Sequence, residues 1–271
     1  MPRRLDYLFT NDDGIHAPGL AALRHAFRGR GAAFVAAPSS QRSAVGHSIT
    51  IHKPITCEEV ALAGGGRGWS LDGTPADCVK LALSELVTRA PRFVLSGINF
   101  GANLGTNVFY SGTVAAALEA AFLGIPSFAL SLATKVDPHF ADAGRIARQV
   151  VEEFAPFVEG SAVCLNVNIP NLPARDIRGV RFTHQAPTPY TDHFHRRRDP
   201  RGRLYFWMDG DRGLSRNGHP TPREMTDIEA IRQGYVSITP LRLTLTCEAT
   251  FERLSRNGWK GGARARRGPP K

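Results

Sequence analysis

The chain has 271 residues, 42% of them hydrophobic and 21% charged. That is enough for one large α/β domain or one domain with an extension, and no apolar run approaches the ~20 residues needed to span a bilayer. The net charge of +10 invites a nucleic-acid-binding reading, but seven basic residues and no acid lie between Arg253 and Lys271; the rest of the chain carries only +3.

Met1-Pro-Arg-Arg leads straight into a strand pattern and leaves no room for a signal peptide, so a cytoplasmic location is expected. The strand is Leu5–Phe9. At its end stands Thr10-Asn11-Asp12-Asp13-Gly14. All four of the last residues are turn formers, so a polar turn is one reading. Two adjacent carboxylates at a sheet edge also concentrate negative charge, which is costly unless a cation or a shared proton offsets it. Leu20, Leu23 and Phe27 then repeat at helical spacing after Pro18-Gly19, and Ala32–Ala37 is a second strand ended by Pro38. Ser39, Ser40 and Ser43 follow it.

Thr74-Pro75-Ala76-Asp77 is a helix start with Thr74 as N-cap and Pro75 at the first helical position; Val79, Leu83, Leu86 and Val87 supply the apolar stripe. Phe93–Leu95 is a buried strand, followed by Ser96-Gly97-Ile98-Asn99. Gly97, Gly101 and Gly105 punctuate a loop carrying Asn99, Asn103 and Asn107. The loop ends at Ser111-Gly112-Thr113, where Ser111 is an N-cap for a helix over Val114–Leu123 with Gly124 beyond its end. Ser127–Leu130 and Val163–Ile169 are further strands. His184–Met208 reads as a protruding hairpin around Asp199-Pro-Arg-Gly202, its aromatics covered by a partner subunit or by the parent domain. Tyr235–Pro240 is the last strand, and Gly261–Lys271 reads as a disordered basic tail with weak, nonspecific polyanion contact.

Alternating strands and helices imply an α/β fold, a Rossmann-like wound, mostly parallel sheet with helices on both faces. The expected division is 1–175 for the catalytic core, 176–252 for the hairpin and C-terminal extension, and 253–271 for the tail. Cys57, Cys78, Cys164 and Cys247 form no CxxC pair and are expected to be buried free thiols.

In wound sheets ligands bind beyond the C-terminal ends of the strands. That edge gathers Asp12, Asp13, a serine from the Ser39, Ser40, Ser43 group, and Asn99. These are hard oxygen donors suited to one divalent cation, Mg²⁺, Mn²⁺ or Ca²⁺, and unsuited to structural zinc. Small residues at the Ser111 helix start expose N–H groups to an anion, and Asn103 can donate to the same anion. A cation beside a phosphate cradle describes phosphate hydrolysis or phosphoryl transfer. No GxxxxGK[ST] loop and no GxGxxG after the first strand supports a motor, a kinase or a dinucleotide oxidoreductase.

Seven ordered blocks over about residues 5–245 resemble the SurE family of survival-protein E nucleotidases: Thr10–Gly19, Gly73–Cys78, Ser96–Asn99, Gly101–Gly105, Ser111–Val114, Asn166–Pro170 and Gly234–Leu241. The resemblance implies a metal-dependent phosphatase acting on nucleoside 5′- and 3′-monophosphates, with short polyphosphate as a substrate of some members. It implies a C-terminal segment exchanged within a homodimer, and tetramers in some members. It places the metal ligands on Asp12, Asp13, Ser43 and Asn99, selecting Ser43, and the phosphate-side residues on Asn103, Ser111, Gly112 and Thr113. Arg92 stands where the family usually has Asp, at the start of a strand and away from the site.

The expected mechanism is in-line attack of a metal-activated water, with Asp12 or Asp13 accepting its proton and Asn103 and Ser111 holding the phosphate. A phosphoaspartyl intermediate at Asp12 is the rival. His16 is read as bonding its own loop rather than as an acid catalyst, and His47 is weighed in the same way. A nucleotide- or metal-sensing protein without turnover is the second functional class.

Overall fold

The computed structural model describes residues 5–187, 193–209 and 225–257. In chain order the elements are β1 (Leu5–Thr10), α1 (Pro18–Ala26), β2 (Ala32–Pro38), β3 (Cys57–Ala61), β4 (Arg67–Leu71), α2 (Pro75–Leu81), β5 (Phe93–Phe100), α3 (Gly112–Phe122), β6 (Ser127–Ala133), α4 (Phe140–Val158), β7 (Cys164–Pro170), β8 (Val180–Phe182), β9 (His193–Arg198), β10 (Leu204–Asp209), α5 (Asp227–Arg232), β11 (Val236–Leu241) and α6 (Glu248–Asn257). The N-terminal tetrapeptide and the tail beyond Asn257 lie outside the described residues.

One nine-stranded sheet runs in the order β3-β4-β2-β1-β5-β6-β7-β11-β8. The run from β4 to β7 is parallel, while β3 and β11 lie antiparallel to β4 and β7. The wound, mostly parallel α/β sheet expected from the alternation is therefore the fold. α1 and α4 pack together on one face and α2 and α3 on the other. The first face buries Phe9, Leu20, Leu23, Leu95, Ile146 and Val150; the second buries Leu8, Val79, Val94 and Ala116. Strands with both faces covered need near-continuous apolar runs, which β1, β5 and β6 have.

The helix ends follow the sequence signals. Thr74 Oγ1 accepts from Asp77 N–H (3.1 Å) and Asp77 Oδ2 accepts from Thr74 N–H (2.8 Å), closing a capping box. Ser111 Oγ accepts from Val114 N–H (3.1 Å), and Gly124 takes φ +82° just past α3.

Several expectations need correction. Ser96–Asn99 does not follow β5 but forms its second half; the β5–β6 register shifts between Ser96 and Asn99, and Gly97 sits there at φ +141°. The β3–β4 hairpin, β8, α4, α5 and α6 were not read from the sequence. α6 covers residues 248–257, so the first residues of the expected tail are helical. β11, from the expected extension, pairs with β7 inside the main sheet. Only Cys78 and Cys164 are buried; Cys57, on an edge strand, and Cys247 are exposed. The β9–β10 hairpin stands out as a separate two-stranded sheet with Phe194, Phe206, Trp207 and Met208 exposed. Arg92 bonds Glu159 through two nitrogens (2.8 and 2.7 Å) and lies 3.5 Å from Asp6, an ion-pair cluster at the start of β5. No helix among the described residues is long and apolar enough to cross a membrane.

Candidate active site

The strand order reverses between β1 and β5, and the crevice beyond their C-terminal ends is where wound sheets bind ligands. Asn11 closes the turn after β1: its Nδ2 donates to Gly14 O (2.9 Å) and its Oδ1 accepts from Gly14 N–H (3.2 Å). Gly14 takes φ +104°, which frees the chain to bend under Asp12 and Asp13.

Asp12 is almost fully buried at 4% exposure. The Thr113 hydroxyl donates to its Oδ1. Burial pushes the Asp12 carboxyl up to about 6; the Thr113 hydrogen bond opposes that, and the charge of Asp13 adds to it. Asp13 is half-buried and is also raised by burial, partly offset by the Phe100 N–H donating to its Oδ2 (3.1 Å). Two raised carboxyls side by side are the signature of a site that a cation would relieve.

Neighbouring loops are tied to this pair. The Arg42 N–H donates to the Asp12 carbonyl (2.7 Å), which brings the Ser39–Ser43 loop to β1. Ser43 is exposed one residue further on and accepts from Gln41 Nε2 (2.7 Å). The Phe100 bond brings the end of β5 to Asp13, and Asn99 spends its Nδ2 on Gly101 O (2.8 Å), leaving its amide oxygen as the donor atom for a ligand. Among the described residues no three His, Cys, Asp or Glu side chains converge on one point. A cation here would rest on two carboxylates completed by neutral hydroxyl and amide oxygens, a donor set that fits Mg²⁺, Mn²⁺ or Ca²⁺.

The start of α3 abuts Asp12. A Cβ on Gly112 would lie 2.8 Å from Asp12 Cβ and 3.0 Å from Pro75 Cγ, so only glycine lets the helix end approach the carboxylate this closely. Ser111, Gly112 and Thr113 are all buried at this junction. Thr113 turns its hydroxyl to Asp12, and its backbone N–H faces the same carboxylate. Asn103 is buried on the same side and donates from Nδ2 to Ser131 Oγ (2.8 Å). Gly19 matters similarly: its Cβ would fall 1.9 Å from Ile98 O, so α1 presses against the bulged half of β5.

Neither His16 nor His47 hydrogen-bonds Asp12 or Asp13. His16 is exposed and has no hydrogen-bond partner among the described residues, so the expected bond to its own loop is not made. His47 Nε2 pairs with Glu119 Oε2 (2.8 Å), Lys80 donates to the other oxygen of that carboxylate, Oε1 (2.7 Å), and the His47 ring stacks on Phe122.

Two contacts are not legible in the sequence. Thr113, expected on the phosphate side, gives its hydroxyl to Asp12. Asp227, at the start of α5, accepts from Gly105 N–H (2.8 Å) and Ala186 N–H (3.0 Å) and so fixes the glycine-rich loop from 122 residues away. Thr226-Asp227-Ile228-Glu229 carries a legible capping signal, but nothing in it names Gly105 as a partner. Ser111 also borders an apolar cavity of about 590 Å³ lined by Val108, Phe109, Leu118, Phe122 and the 239–245 segment.

The family model described as "Survival protein SurE" matches residues 7–192. The chain is 45% identical over 261 residues to the 5′-nucleotidase SurE of Desulforudis audaxviator, covering 94% of this chain and 98% of that protein. It is 43% identical to the 5′-nucleotidase SurE of Heliobacterium modesticaldum, covering 94% and 92% of the two chains. The crystal structure of the SurE protein from Aquifex aeolicus superposes with a TM-score of 0.78 at 35% identity, covering 93% and 99% of the chains. With its acidic turn after β1, its glycine-opened helix start and a shared fold over nearly the whole length, the chain belongs to the SurE family.

Proposed function

We propose that the chain is a metal-dependent phosphatase that hydrolyses nucleoside 5′-monophosphates, and also 3′-monophosphates, to nucleoside and phosphate. The observation that carries this reading is the contact of Asp12 with the start of α3, which puts a buried carboxylate and an anion-binding helix end in one crevice. The name shared by the relatives, 5′-nucleotidase SurE, supports the same reading.

Asp12, Asp13, Ser43 and Asn99 would hold one divalent cation. Bound there, such a cation would polarise the phosphate and make an attacking water more acidic. A water oxygen attacks phosphorus in line with the ester oxygen, and the P–O ester bond breaks. A carboxylate oxygen of Asp12 or Asp13 takes the proton leaving the water, and the departing ribose oxygen takes a proton from solvent. Ser111, Asn103 and the N–H groups of Gly112 and Thr113 hold the phosphate and its developing charge. The apolar cavity beside Ser111, with Phe109 and Phe122 in its wall, supports a nucleoside as the leaving group.

Steady phosphate release from AMP or GMP with Mn²⁺, abolished by EDTA, is the expected result. No release with any of the three divalent metals would favour a nucleotide sensor without turnover. Rapid-quench labelling with radioactive nucleotide separates the two chemistries, because a trapped acyl-phosphate at Asp12 would overturn direct attack by water. The protein is further proposed to be a homodimer or tetramer that exchanges its C-terminal segment.

A further inference from the structure

Asn166 and Asn168 lie on β7, a central strand whose two faces are covered, and both are fully buried. Such positions favour Val and Ile, and a buried amide is costly unless its hydrogen bonds are made. Asn168 makes its bonds to one residue. Its Oδ1 accepts from the Asn103 N–H (2.8 Å) and its Nδ2 donates to the Asn103 carbonyl (3.0 Å). The side-chain amide thus grips both main-chain groups of Asn103, as a neighbouring strand would. Asn166 Nδ2 donates to the same carbonyl (2.8 Å). Ser131, aligned with Asn168 across β6 and β7, accepts from Asn103 Nδ2 (2.8 Å).

The directions of the Asn168 bonds are fixed. Flipping the Asn168 amide would set N–H against N–H and oxygen against oxygen. Asn103 is therefore held at its N–H, its carbonyl and its side-chain nitrogen by two adjacent core strands. One Nδ2 proton is committed to Ser131, which sets the rotation of the amide and leaves the second proton for an incoming oxygen. This loop residue is placed with the precision of the sheet, which is how preorganised donors act on a developing charge.

We propose that Ser131, Asn166 and Asn168 are positioning residues that act through Asn103 to orient its amide toward the substrate phosphate, an assignment that rests on the phosphatase reading above. Ser131→Ala removes only the hydroxyl and keeps the β6 backbone; Asn168→Ala removes the main-chain grip. Each is tested alone and in an Asn103→Ala background as a double-mutant cycle, with two readouts: kcat/KM for AMP, and the affinity for inorganic phosphate in the presence of Mn²⁺ by calorimetry. Each single variant is expected to lose about tenfold in kcat/KM and to bind phosphate more weakly. In the Asn103→Ala background the further loss is expected to stay within about twofold. The Mn²⁺ affinity of Ser131→Ala is expected to match that of the wild type.

Additive losses in both readouts would overturn the proposal, because residues that only stabilise the fold contribute independently of the Asn103 amide. A loss that tracks Mn²⁺ affinity would overturn it too. A wild type that turns over no nucleotide but shows the same coupling in phosphate affinity would overturn the phosphatase reading while supporting the positioning role.

Discussion

Asp12 is the residue on which stability and function pull apart. Its carboxyl is buried, raised to about 6, and held by Thr113. Replacing it with Asn removes a buried charge and keeps an oxygen for the Thr113 hydroxyl. In EDTA, Asp12→Asn is therefore expected to melt no lower than the wild type, since buried charges are retained for function at the expense of stability. Added Mn²⁺ should raise the Tm of the wild type and leave the variant unmoved, because a ligand stabilises only the state it binds. Calorimetric melts with and without metal decide this; an equal Mn²⁺ shift in both proteins would remove Asp12 from the metal site. Gly112 gives a complementary test. Gly112→Ala places a methyl 2.8 Å from Asp12 Cβ, and overpacking of this kind costs about 1–3 kcal/mol. A lower Tm together with a large fall in phosphate release is expected, and an unchanged variant would show that α3 does not abut the carboxylate. Asp12 and Asp13 were legible because adjacent carboxylates after an apolar run are rare without a reason. The Thr113 hydroxyl was not, since its bond to Asp12 joins positions 101 residues apart.

At the scale of elements, local signals predicted well wherever the physics is local. The α2 start was readable because Thr74, Pro75 and Asp77 each act within one turn. β3 and β4 were not, because Leu62–Gly66 joins two short strands in a glycine-rich stretch with weak alternation, and an edge hairpin gains its pairing from β2. α4 carries a readable helical period in Ile146, Val150 and Phe154, yet the strand-centred reading assigns nothing to that span. The bulge in β5 shows the opposite limit: Gly97 was visible, but its close approach to Leu130 O exists only once β6 is in place. Asp77 offers the element-scale test. Burial raises its carboxyl, but the Thr50 hydroxyl and N–H and the Thr74 N–H outweigh that and lower it. A carboxyl lowered by folding adds stability that is complete above the ordinary aspartate range and is lost as pH falls through the folded value, so the window lies below about pH 4. Asp77→Ala should cost about 2 kcal/mol at pH 7. Urea melts at pH 7 and pH 3 should show that gap narrowing in acid; a constant gap would mean the carboxylate charge plays no part.

At the scale of the whole molecule, the C-terminal third is not an appendage to the core. β11 lies against β7 in the main sheet, and Asp227 reaches back to Gly105 in the loop that carries Asn103 and leads to Ser111. Beyond β11, however, the chain exposes apolar surface that a single copy leaves uncovered: Leu245 is 92% exposed, and Phe251 and Leu254 line α6 with more than half of each in solvent. The β9–β10 hairpin adds Phe206 and Trp207. Large apolar residues grouped this way mark association surfaces. Each can be removed alone. Phe251→Asp with Leu254→Asp is expected to disrupt the α6 contact, and Trp207→Asp the hairpin contact, while the core sheet and Asp227 stay intact. Sedimentation equilibrium should then report a smaller mass than the wild type for whichever variant has lost a contact the assembly uses. Phosphate release should persist in both, because no residue assigned to the metal or phosphate lies on either surface. An unchanged mass in both would assign these faces to some other role, and loss of activity on dissociation would mean that a partner copy completes the crevice.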